Sequence, residues 1–113
     1  MKLTNEVKSE IRELLIVEAK KLIGSQSEQY EFRVDWQNSF CYDKDIQHIN
    51  NHGLMDRDYI FNRGINYAKN TDLKDWYEYN WLEADLSCLN NNRKYRVRID
   101  LKQYKRNKKL KLY

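Results

Sequence analysis

Two stretches, Leu82-Glu83-Ala84-Asp85-Leu86-Ser87-Cys88 and Tyr95-Arg96-Val97-Arg98-Ile99-Asp100-Leu101, decide the fold. In each, apolar and polar residues alternate strictly, the period of a half-buried β-strand. Asn90-Asn91-Asn92 lies between them, and asparagine tolerates the positive φ of tight hairpin turns. A two-residue turn at Asn91-Asn92 would set Cys88 opposite Tyr95, Leu86 opposite Val97, Ala84 opposite Ile99 and Leu82 opposite Leu101. Asp85 would then meet Arg98, and Trp81 would meet Lys102. A slip of one residue would oppose apolar to charged groups throughout. The spacing therefore predicts a hairpin over 81–102 with a greasy face and a cationic face.

Upstream, residues 3–23 read as an amphipathic helix. Leu3, Val7, Ile11, Leu14, Leu15 and Leu22 recur at three- and four-residue intervals. Thr4 or Asn5 can cap its start and Gly24 can end it. Residues 30–36 alternate as a strand. Gln37-Asn38-Ser39 then reads as a turn into a second strand, with Trp36 opposite Phe40, Val34 opposite Tyr42 and Tyr30 opposite Ile46. Residues 43–53 read as a polar loop and 56–70 as a helix interrupted by Gly64. The expected order is α-β-β-α-β-β: an α+β, two-layer sandwich with both helices on one face of a mainly antiparallel sheet. One domain would cover 1–104, followed by a basic tail or edge strand over 105–113.

Charge is divided unevenly along the chain. It carries 21 basic and 17 acidic residues among 113. Ten of the basic residues and one acid fall in 93–113, which leaves 11 and 16 in the first 92. One end is built to meet negative charge, on its own body or on a partner. Aromatic residues at 13 % argue against a disordered chain of such polarity. The longest aliphatic run, Leu14-Leu15-Ile16-Val17, is too short to span a bilayer. The N-terminus lacks the apolar core of a secretory signal. Cys41 and Cys88 form no CxxC pair and read as two thiols in a reducing cytoplasm. Abundant Asn, Lys, Tyr and Ile, with no Pro, suggest an AT-rich bacterial or phage genome.

The second face of the hairpin carries Arg96, Arg98 and Lys102. An early strand start would add Tyr77, Tyr79 and Trp81 from Trp76-Tyr77-Glu78-Tyr79-Asn80-Trp81. Aromatic rings with arginines anchor protein interfaces. The same set stacks bases and neutralises phosphates. Lys105, Arg106, Lys108 and Lys109 extend the basic surface. Against this stands an ordinary sheet face with internally neutralised charges.

Catalytic equipment is sparse. His48 and His52 stand four apart among Asp43, Asp45, Asp56 and Asp58, yet Asn50, Asn51 and Gly53 oppose the helix that a zinc pair needs. There is no P-loop, Rossmann glycine pattern or nucleophile elbow. No cofactor, metal or catalytic residue is assigned.

Trp81-Leu82-Glu83-Ala84-Asp85-Leu86 followed by Lys94-Tyr95-Arg96-Val97-Arg98-Ile99-Asp100, after an N-terminal helix, resembles the small immunity proteins of bacterial toxin–immunity pairs. The likeness covers about one fifth of the chain, and many such hairpins are acidic where this one is basic. It implies stoichiometric neutralisation of a protein. The leading expectation is a small cytoplasmic binding protein that inhibits or neutralises an acidic protein target, as an immunity protein or a phage-encoded inhibitor of a host factor. The alternative is a nucleic-acid-binding module. A small nuclease using His48 or His52 is a third reading. No membrane partner is expected.

Overall fold

The first helix, α1, spans Asn5–Ile23, and its ends are chemically specified. The Thr4 side chain accepts a hydrogen bond from the Val7 N–H at 3.1 Å. Gly24 closes the helix at φ 108, a backbone region that β-carbon-bearing residues avoid, and its N–H returns to the Lys20 carbonyl. The computed structural model describes residues 3–43, 49–56, 67–69 and 76–110. Val7, Ile11, Leu15, Ile16 and Ala19 are buried on one side of α1. The 3–23 reading is correct to within the cap.

The described strands are β1 (Phe32–Tyr42), β2 (Tyr67–Lys69), β3 (Trp81–Cys88) and β4 (Lys94–Asp100). They form one antiparallel sheet in the order β2-β1-β3-β4. Short 3-10 turns cover Ser25–Ser27 and Trp76–Glu78, and a second helix, α2, follows as Leu101–Lys109. The chain is an α+β fold. One core joins α1 and α2 to the sheet through Ile11, Leu15, Leu82, Leu86, Val97 and Tyr104, among others.

The hairpin of β3 and β4 forms with its apolar faces matched as expected, but its register differs by two residues. Leu86 faces Tyr95, Ala84 faces Val97 and Leu82 faces Ile99, while Asp85 meets Arg96 and Glu83 meets Arg98. Trp81 faces Asp100 rather than Lys102. The turn is longer than two residues. The Cys88 N–H donates to the Arg93 carbonyl at 2.8 Å, and Asn92 takes the left-handed position at φ 58. An even shift preserves side-chain parity, so hydrophobic pattern alone does not distinguish the two registers.

The first expected hairpin is a single long strand instead. Asp35 faces Asp85 and Phe40 faces Glu83, so residues 36–39 bulge against Ala84 alone. The polar segment that reads as a turn is this bulge. The Ser39 hydroxyl donates to the Trp36 carbonyl at 2.6 Å, and the Asn38 amide donates to Asp35 at 2.6 Å. The bulge also reverses the strand's faces. Phe32 and Val34 join the α1 core, whereas Phe40 and Tyr42 turn to the opposite face. The helix expected over 56–70 falls mainly outside the described residues, and 67–69 are strand β2.

Over 105–109 the C-terminal segment is helix rather than the basic tail or edge strand expected from 105, and 111–113 lie outside the described residues. Strand β4 stops at Asp100, whose side chain caps α2 by accepting the Gln103 N–H at 2.9 Å. Leu101 and Tyr104 are buried. Lys108 reaches back to α1, with Nζ 2.8 Å from Glu10 Oε1 and 3.2 Å from Glu6 Oε1. The Tyr104 hydroxyl donates to the same Glu10 carboxylate. Part of the basic C-terminal region thus meets acids of the chain's own first helix.

Burial alone would raise the Glu10 pKa. The hydrogen bonds from Lys108 and Tyr104, with the Lys108 charge, outweigh it and hold the carboxyl below its ordinary 4.5. A depressed carboxyl contributes stability above its unfolded-state value and loses it as pH falls through the depressed one. Glu10→Gln is therefore expected to lower stability at neutral pH and to flatten the loss below about pH 4.5. Urea unfolding from pH 7 to pH 2 checks this; parallel curves for the two proteins would exclude the coupling.

Candidate binding site

On the face of the sheet away from α1, the chain buries a carboxylate. Glu83 is fully buried in the middle of β3. Its Oε1 accepts the Tyr42 hydroxyl at 2.6 Å and the Met55 N–H at 2.5 Å. Its Oε2 accepts Arg96 Nε at 2.7 Å, and Arg96 Nη2 donates to the Met55 carbonyl at 2.8 Å. Segment 49–56 is thereby fastened over the sheet, with Met55 buried beside Phe40 and Tyr42. A bridge between Ile49 and Met55 and a turn at Gly53, φ 76, shape it. A β-carbon at Gly53 would lie 3.3 Å from Arg98 Nη2, so the turn and the arginine fit closely.

Arg98 stacks over Trp81, its guanidinium carbon 4.5 Å from the ring centroid. Its Nη1 is buried without a hydrogen-bond partner among the described residues. Burial, then the charge of Glu83 and the hydrogen bond it accepts, push the Tyr42 phenol far above its ordinary value; Arg98 opposes the shift. Raised pKa values stabilise a fold below the unfolded-state value and cease to do so as pH climbs above it. Tyr42 is expected to ionise only with unfolding and well above pH ~10. Near-ultraviolet phenolate absorbance followed beside circular dichroism checks it, and ionisation of every tyrosine in the folded protein would be the contrary result.

The residues expected to form one recognition face are distributed over three places. Arg96, Arg98 and Trp81 belong to this clamp and are half-buried. Tyr77 lies beyond the sheet in the 3-10 turn and is exposed, while Tyr79 packs against the main core. Lys105 joins them: its Nζ donates to the Tyr77 and Tyr79 carbonyls at 2.7 and 2.9 Å and stands 5.0 Å from the Tyr77 ring centroid. Burial lowers the Lys105 pKa, against the pull of Asp43 and Asp100. Lys102, Arg106 and Lys109 are exposed. Their spacing of four and three places them on one stripe of α2, apart from Lys108 and its ion pairs with α1. Cys41 and Cys88 are buried and form no disulfide with each other. His52 is exposed, and His48 lies outside the described residues. Among the described residues no group of three or more His, Cys, Asp or Glu side chains could hold a metal ion, and no helix is long and apolar enough to cross a membrane.

A groove of about 1040 Å³ follows β4. Leu14, Val17 and Leu22 of α1 form one wall, and Asn50, His52 and Leu54 form the other. Val17 is 48 % exposed and Leu22 56 %. Lys94 stands on its rim as an exposed cation, while Lys21 is paired with Glu18 at 3.0 Å, and this pair and Asp100 also line the groove. Sequence periodicity assigned Leu22 to the core-facing side of α1; at the helix end it instead extends past the sheet edge. Val17 carried no separate signal beyond being an aliphatic residue between the buried positions.

A scan against protein-family models found no match, and searches of curated proteins and of solved structures likewise found none.

Proposed function

We propose that this chain is a small cytoplasmic binding protein that inhibits or neutralises a protein target by stoichiometric occlusion, in the manner of an immunity protein or a phage-encoded inhibitor of a host factor. The supporting observation is the groove beside β4, where exposed Val17 and Leu22 meet a charged rim of Lys94, Asp100 and the Lys21–Glu18 pair. Apolar surface ringed by polar groups is the composition of protein-recognition sites. Lys94, which has no ion pair among the described residues, favours a carboxylate on the target and would speed its encounter. The test is affinity capture from the native host with and without nuclease. A discrete complex of fixed stoichiometry that survives nuclease supports the reading, and loss of the partner on digestion rejects it.

A nucleic-acid-binding role is the second reading, favoured by the exposed Lys102–Arg106–Lys109 stripe of α2. Contact of these cations with phosphates would make affinity fall steeply with salt. Replacing all three by Ala should then flatten the slope of affinity against salt for single- or double-stranded DNA or RNA. Absence of binding at low salt removes this reading.

A further inference from the structure

We propose that β4 is an open docking edge that accepts an extended, alternating acidic–apolar segment of the protein target as a fifth, antiparallel strand. This rests on the binding-protein reading and specifies its mode and the partner's chemistry.

The backbone provides the first argument. Among the described residues β4 pairs only with β3. Cys88 N–H donates to the Arg93 carbonyl, and Leu101 N–H donates to the Asn80 carbonyl at 2.8 Å. Both are pairs of the β3–β4 register extended beyond the strand ends. Antiparallel ladders alternate between bonded and non-bonded pairs. Tyr95, Val97 and Ile99 therefore spend their N–H and C=O groups on β3. Those of Lys94, Arg96 and Arg98 point away from the sheet, into the groove. The ladder from Trp81 to Ser87 carries no bulge, so these donors and acceptors form a regular template about 14 Å long from Lys94 to Arg98.

Edge strands are commonly blunted by charged side chains lying across them. Here two of the three cations are drawn aside. Arg96 is held by Glu83 and the Met55 carbonyl, and Arg98 by the Trp81 ring. The clamp leaves the edge open.

Side-chain parity then fixes what the added strand must carry. Residues opposite Tyr95, Val97 and Ile99 would point to the α1 side and rest on Leu14, Val17 and Leu22. Residues opposite Lys94, Arg96 and Arg98 would point to the other side. Neither Lys94 nor Arg98 has an ion pair among the described residues, so carboxylates suit that row. A second copy of this chain suits it less. Antiparallel pairing of two β4 strands about Val97 would oppose Arg96 to Arg98 twice, against two Lys94–Asp100 pairs, and directly opposed like charges are destabilising.

The probe is an eight-residue peptide alternating glutamate with valine, titrated into isotopically labelled protein. Amide resonances of Lys94, Arg96 and Arg98 are expected to shift and to exchange more slowly with solvent. In the proposed geometry the glutamates face Lys94, Arg96 and Arg98, so glutamate amides donate to β4 and valine amides do not. Methylating the glutamate amide nitrogens should weaken binding about tenfold or more, because two or more hydrogen bonds are lost. Methylating the valine nitrogens should cost far less. Lys94→Pro removes the cation and one outward-pointing N–H and should weaken peptide binding more than Lys94→Ala, which removes the cation alone. Should the proline variant fail to fold, the methylated peptides decide with the native protein. The proposal is overturned by no binding at millimolar peptide, by equal effects of the two methylation patterns, by equal affinity for a lysine–valine peptide, by shifts confined to α2, or by a dimer that the peptide does not dissociate. If a nuclease-resistant complex forms but ignores Lys94→Pro, the edge is wrong and the binding function stands. If no complex forms, the function itself fails.

Discussion

Glu83→Ala is expected to cost about 3–5 kcal/mol in urea unfolding, a large share of the ~5–15 kcal/mol typical of a domain this size. The side chain is fully buried and receives the Tyr42 hydroxyl, the Met55 N–H and the Arg96 guanidinium. Truncation strands all three, and a half-buried cation without its anion is the costliest of them. Arg96→Met should cost a similar amount for the mirror reason: it leaves the carboxylate buried without its cation. The double variant, Glu83→Ala with Arg96→Met, should recover part of the loss, since removing both charges avoids an uncompensated one. Recovery stays incomplete because the Tyr42 hydroxyl and Met55 N–H still lack an acceptor. An additive double variant would show that the two side chains do not act as a pair. Hydrogen exchange provides a second readout: in Glu83→Ala the Met55 amide should lose its protection while β3 core amides keep more of theirs. Release of segment 49–56 would remove one wall of the β4 groove, so this stability element also positions the proposed site.

The parts of this fold legible in the sequence are those fixed by local pattern. Thr4 and Gly24 bound α1 through chemistry confined to one turn, and the alternation of Leu82-Glu83-Ala84 against Val97-Arg98-Ile99 sets which faces meet. Pattern fixed the face of the hairpin but not the pairing, because Asn90, Asn91 and Asn92 all suit a left-handed position and only Asn92 takes it. Gln37-Asn38-Ser39 has the composition of a turn, yet a bulge satisfies the same polar groups within a continuous strand. The choice between them rests on β3, 50 residues downstream in the pairing Asp35–Asp85. The C-terminal helix had a usable signal. Asp100-Leu101-Lys102-Gln103 is a capping sequence, and Leu101, Tyr104 and Lys108 follow at helical spacing. The strand alternation that runs through Leu101 masked it.

The candidate site was less legible than the fold. Arg96 and Arg98 do project from the face opposite α1, but they are committed to Glu83 and Trp81 because segment 49–56 folds over them. That closure depends on a backbone N–H and carbonyl at Met55, groups that every residue carries and no sequence pattern marks. The groove, in turn, is a property of where the sheet ends. Lys94, Arg96 and Arg98 present free backbone groups because no described strand follows β4, and pattern reasoning gives strands but not their spatial order.

Tyr104→Ala should destabilise the protein by about 3–5 kcal/mol, the range for truncating a large buried aromatic, and its effect should fall first on α2. Tyr104 is 1 % exposed, its ring centroid lies 5.9 Å from that of Trp76, and its hydroxyl is held by Glu10. A helix of nine residues is too short to persist in water by propensity alone. With Tyr104 gone, Leu101, the Lys105 hydrogen bonds to the Tyr77 and Tyr79 carbonyls and the Lys108 ion pairs are left to hold it, and polar contacts of solvent-accessible side chains contribute little. Amide exchange across α2 should therefore rise towards unfolded rates under conditions where β3 stays protected, and Trp76 fluorescence should shift as its neighbour is lost. Tyr104→Phe keeps the ring and should cost only about 1 kcal/mol. Equal protection of α2 and β3 in the alanine variant would show that the helix unfolds only with the whole domain. The same variant bears on function. Its C-terminal cations remain in number but lose their fixed stripe; the groove loses the part of its lining that Gln103 and Tyr104 supply, while the β4 backbone and the wall built by Val17 and Leu22 stay in place. Docking at the sheet edge should survive it at low temperature, and a nucleic-acid contact that reads the ordered stripe should not.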